Sequence, residues 1–185
     1  MVATVLDVAL AIAYPIAIFL GLTYLGTRGV SLLVIALLIP GLALRFRKAD
    51  RESLRSILRI PVAIFGLVVC GIVTDDARFM LALPVLINAV LFVTFASSLR
   101  AGSQPMVERF ARMQEPALTP DKAAHCRTWT QLWSAFFVLN GGVAAGLGLA
   151  APLWWWTVYT GAIAYVLMGL MFVAERIQRR VRFGS

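Results

Sequence analysis

Long apolar runs alternate with short polar breaks along this chain, and six runs stand out, at roughly 4–25, 29–45, 59–74, 79–98, 128–150 and 153–174. None shows the period-two alternation of a membrane-barrel strand, and most come near the roughly 20 residues a helix needs to cross the hydrocarbon. Inside a bilayer the backbone must satisfy its own N–H and C=O groups, which leaves the helix as the spanning element. The pattern therefore predicts an all-α integral membrane fold, a single domain over 1–185. Short turns at 26–28, 75–78 and 151–152 pair the six transmembrane helices as three hairpins.

Composition agrees with that pattern and excludes an ordinary soluble domain: 61% of residues are hydrophobic, 14% are charged and mean hydropathy is +0.85. The first apolar run begins close to Met1 without a basic leader, so it reads as a span rather than a cleaved signal peptide. A formal charge of +8 could suggest nucleic acid, but the basic residues sit between apolar runs rather than along one soluble face. They fall in 45–59, in 100–127 and in the 176–182 tail, leaving only Arg28 and Arg78 elsewhere. The positive-inside bias then predicts that these segments and both termini are cytoplasmic.

Polar groups within the runs have structural roles as their first reading. Asn88 and Asn140 fall mid-span in runs four and five and are placed to share a hydrogen bond worth about 1 kcal/mol. Gly142 and Gly146 have the GxxxG spacing of close helix approach. Asp7 reads as interfacial, Asp76 as a helix cap with Asp75 beside it, and Pro15, Pro40 and Pro84 as candidate kinks. Trp154, Trp155, Trp156 and Tyr159 read as interfacial anchors, as do Trp129 and Trp133. Cys70 and Cys126 have no metal-ligand or CxxC spacing, so no metal, cofactor or disulfide is expected.

The two polar connections carry most of the candidate chemistry. Over 104–115, Met106, Val107, Phe110 and Met113 share one helical face and Glu108, Arg109 and Arg112 the other, predicting a short amphipathic helix on the membrane surface between spans four and five. Thr119-Pro120 reads as the start of the next helix, which places His125, Trp129 and Trp133 on one stripe. Neighbouring His125 and Cys126 point about 100° apart on a helix, which disfavours a local Cys-His catalytic pair. Arg51, Arg55 and Arg59 share a face in the earlier connection, and each basic residue beside an anionic leaflet adds about 1 kcal/mol of attraction. The expected lipid- or partner-binding residues are therefore Arg51, Arg55, Arg59, Arg109, Arg112 and Arg127. A polar cavity, if one exists, would draw on Glu108, His125, Trp129, Trp133, Asn88 and Asn140; no catalytic residue is assigned.

Two resemblances add context. Trp133-Ser134-Ala135-Phe136-Phe137, the Asn140-Gly141 that follows, Pro152-x-Trp154 and the Thr74–Phe79 turn resemble features of the bacterial family called intracellular septation protein A. A closer likeness, over Pro105–Arg112, Ala124–Thr130 and Trp133–Asn140, is to small inner-membrane proteins of aryl-polyene or xanthomonadin-type biosynthetic clusters. The chain departs from that pattern where Ala124-His125 stand in place of Pro-Tyr. This likeness implies an accessory protein of envelope lipid or aryl-polyene biosynthesis, with membrane lipids and acidic acyl carrier proteins or envelope-biosynthesis enzymes as partners. The septation likeness implies instead a scaffold of division and envelope homeostasis. A small transporter or membrane acyltransferase is the third class; enzymatic activity is left open, with a non-enzyme favoured.

Overall fold

The structure, a computed structural model, describes residues 16–30, 32, 65, 66, 69, 70 and 72–184. Nearly all of the expected span at 29–45, much of those at 4–25 and 59–74, and the residues Asp7, Pro15, Pro40, Arg51, Arg55 and Arg59 lie outside them. All regular secondary structure among the described residues is helical. Among the described residues, three helical stretches are long and apolar enough to cross a membrane, Arg78–Ser97, Pro120–Ala150 and Leu153–Phe183. The protein is thus a multi-pass membrane protein.

The chain forms two compact units, one made of residues through Leu83 with Leu147–Gly161, the other of Pro84–Gly146 with the chain from Ala162 onward. In the first unit, helical backbone over 16–24 and 26–30 is separated by a turn at Leu25, and Gly26 there has φ +66°. The turn falls at the edge of the expected 26–28 break. Its two arms pack so closely that a Cβ on Gly21 would lie 2.6 Å from a Val30 methyl, so only glycine fits. Asp76 Oδ1 accepts a hydrogen bond from the Arg78 N–H at 2.9 Å just ahead of α1 (Arg78–Leu81), whose N-cap position is Ala77 rather than the expected Asp76. Ile18, Val30, Met80 and Trp156 form this unit's core.

Helix α2 (Leu83–Ser97) follows α1 after a break at Ala82. The break sits beside Pro84, which has no N–H to continue the ladder. The expected surface helix is α3 (Met106–Gln114). It stops where Glu115, held extended before Pro116, still donates its N–H to Ala111 O at 2.9 Å.

Helix α4 (Pro120–Ala150) begins at Pro120 as the sequence indicates and runs unbroken for 31 residues. At 1.5 Å per residue it is about 46 Å long against a hydrocarbon core of about 30 Å. Its polar first turns therefore extend beyond the apolar part. After Ala151-Pro152 come α5 (Leu153–Val158), a π-helical turn at Tyr159–Ile163, and α6 (Ala164–Phe183). The last helix continues well past residue 174, and its arginine-rich end is closed by Gly184 in the left-handed conformation, whose N–H donates to Arg180 O. In the second unit, α2, α3, α4 and α6 meet around Val107, Ala111, Cys126, Trp129, Trp133 and Phe137.

Candidate functional site

The polar ends of the second unit's helices gather at one place, the basic end. Residues 98–127 and 175–183 hold nine Lys/Arg against four Asp/Glu. The first N–H groups of any helix lack intrahelical partners, and here side chains from two other stretches supply them. Ser98 Oγ accepts from Met106 N–H at 2.9 Å, and Thr130 Oγ1 accepts from Val107 N–H at 3.2 Å while donating to Cys126 O at 2.8 Å. These bonds fix how α3 is rotated.

That rotation differs from the one its sequence suggests. Val107, Glu108 and Ala111 are buried, while Arg109, Phe110 and Met113 are exposed. Val107 thus parts from Phe110 and Met113, and Glu108 turns inward. The physical reason is that Glu108 has partners there: Arg112 closes on its Oε1 at 2.7 Å and Gln104 lies at 3.4 Å.

Further ties join the helices. Lys122 Nζ bonds both Glu115 oxygens at 2.8 and 2.9 Å, and Arg179 lies 3.6 Å from the same carboxylate. Trp129 donates its indole N–H to Gln178 Oε1 at 2.7 Å, and the Trp133 ring packs on Phe172 of α6 with centroids 4.8 Å apart. Trp129 and Trp133 are therefore buried bridges between α4 and α6 rather than surface anchors. Trp156 is likewise buried, whereas Trp154 and Trp155 are half exposed and stacked at 4.1 Å.

The arginines expected to bind partners hold different positions. Arg112 is committed to Glu108 and to Pro116 O. Arg109 and Arg127 are exposed, each tethered by one bond to a backbone carbonyl, Gln104 O at 3.0 Å and Leu99 O at 2.8 Å. A guanidinium has five N–H donors, so each keeps most of them for a partner while its position is already set.

The six residues of the expected polar cavity do not come together as one site. Glu108, His125, Trp129 and Trp133 belong to the basic end. Asn140 lies two turns further along α4, where its Nδ2 donates to Asn88 Oδ1 at 3.0 Å, as the spacing suggested. Asn88 also donates to Pro84 O and borders an apolar groove of about 240 Å³ with Phe137, Gly141 and Gly142, none of the other five taking part. A Cβ on Gly142 or Gly146 would meet nothing within 4 Å, so the GxxxG pair packs against no described residue, whereas one on Gly141 would come within 3.0 Å of Asn88 Cβ.

His125 is buried with Phe183 edge-on at 5.5 Å, and its Nε2 has no hydrogen-bond partner. Cys126 sits in the apolar cluster. Among the described residues no group of three His, Cys, Asp or Glu is placed to hold a metal ion.

Sequence reasoning missed Ser98, Thr130 and Gln178. The last of these carried a usable signal: Gln178 follows the end of one apolar run and Trp129 opens the run before it, ends that antiparallel neighbours bring together. The chain matches no protein-family model, no curated protein and no solved structure.

Proposed function

We propose that this protein is an accessory component of the bacterial inner membrane that serves envelope lipid or aryl-polyene biosynthesis. In this reading six transmembrane helices form three hairpins, both termini are cytoplasmic, and the basic end faces the cytoplasm. There it recruits acidic acyl-carrier-type partners or binds lipid phosphate. The resemblance over Pro105–Arg112, Ala124–Thr130 and Trp133–Asn140 supports that setting. The observation that carries the reading is the pair of exposed guanidiniums, Arg109 and Arg127, each tethered by a single backbone carbonyl bond. Charge complementarity of this kind speeds encounter and orients the partner more than it adds raw affinity.

The structure also selects the right variant for a test. Removing Arg112 would strip Glu108 of its cation and unsettle α3, so Arg109 and Arg127 are the binding probes. A photo-crosslinking amino acid at exposed Arg176, in cells that make the pathway, should capture acyl carriers or acyl-chain enzymes. Capture of division-machinery proteins in their place would overturn this reading and support the scaffold.

A further inference from the structure

Helix α3 is amphipathic in the opposite sense to a helix docked on a soluble protein. Its charged Glu108 is turned into the protein, while Phe110 and Met113 face outward, 51% and 81% exposed. The orientation is not free to relax, because Ser98 and Thr130 hold the helix's first two N–H groups and Arg112 holds Glu108. Water is a poor neighbour for that outward face.

We infer that the outward face of α3, Phe110 and Met113 with Arg109 beside them, is embedded in the interface of the bilayer, with the arginine on anionic lipid phosphate. Three observations favour a bilayer over another occupant. The helix lies in the short connection between two helices apolar enough to cross a membrane, Arg78–Ser97 and Pro120–Ala150, so the headgroup layer is close by. Its outward apolar residues are flanked by Arg109, the arrangement of helices that lie in the plane of a membrane surface. The surrounding basic end has a cationic excess that complements an anionic leaflet.

The inference concerns one face of α3 and does not require carrier binding; Arg127 and the arginines of α6 remain for a partner. It also gives α3 a mechanical role. Anchored outside by lipid and inside by Thr130, it would hold the start of α4 at a fixed depth.

The test uses the full chain with Cys70→Ser and Cys126→Ala, reconstituted in vesicles of phosphatidylcholine and phosphatidylglycerol. Nitroxide labels are placed singly at F110C, M113C and A117C. Labels at 110 and 113 should collide preferentially with oxygen, with an oxygen-to-nickel ratio several-fold above that at 117, where the chain leaves the helix. In vesicles with phosphatidylglycerol, Arg109→Gln should lower that ratio at 113, and in phosphatidylcholine alone it should not. A label at 113 as open to the aqueous nickel reagent as one at 117 would overturn the inference. So would a label at 113 that is immobilised equally in detergent, which would mean a protein contact. Agreement between 110 and 113 guards against a local effect of either substitution.

Discussion

Trp156 and Trp129 are both buried indoles, but they are held differently. Trp156 is enclosed by Ile18, Val30 and Met80 in the first unit, and its N–H finds no acceptor. Trp129 is enclosed in the second unit's cluster and also donates to Gln178, 49 positions along the chain. Between helices in lipid, apolar contact alone discriminates weakly, because lipid tails are as apolar as leucine. A hydrogen bond to a distant helix does discriminate, since it fixes rotation and height together. The second unit repeats this device at Val107–Thr130 and Asn140–Asn88. Its register is specified by polar pairs, and that of the described part of the first unit by shape.

The strongest way to break this contrast is Arg112→Met. It leaves Glu108 buried with only Gln104 near its carboxylate, and should cost about 2–3 kcal/mol at the basic end. In a Cys70→Ser background, the maleimide reactivity of buried Cys126 reports the loss, rising as α3 detaches. Restoring the balance with Glu108→Gln in the same chain should recover part of it.

A finer comparison sets Trp129→Phe against Trp156→Phe. Both remove similar volume, but only the first breaks a hydrogen bond. Trp129→Phe should be more destabilising by about 1 kcal/mol, read from unfolding in mixed micelles. Equal effects would mean that the Trp129–Gln178 bond contributes nothing to register.

The membrane character of the chain and the helices at 79–98, 128–150 and 153–174 were legible in the sequence, because uninterrupted apolarity over about 20 residues suits a membrane-spanning helix and little else. So were the helix start at Pro120 and the Asn88–Asn140 bond, which need only local chemistry and helical spacing. The rotation of α3 was not legible. Its apolar residues suggest a face that includes Val107, but the orientation is decided by Thr130 and Ser98, which lie 23 and 8 positions from the groups they hold. The tryptophans misled for a similar reason. An indole near a span end is equally suited to a headgroup layer or to a bridge, and only the positions of Phe172 and Gln178 on another helix distinguish the two.

The most direct test of carrier recruitment is the affinity of the protein in nanodiscs for an acyl carrier protein of the proposed pathway, measured as salt is raised. Binding should weaken with ionic strength, as exposed charge contacts do, and should fall about tenfold, or about 1.4 kcal/mol, in Arg127→Gln/Arg176→Gln. Absence of binding at low salt, or binding indifferent to both salt and the double substitution, would contradict it.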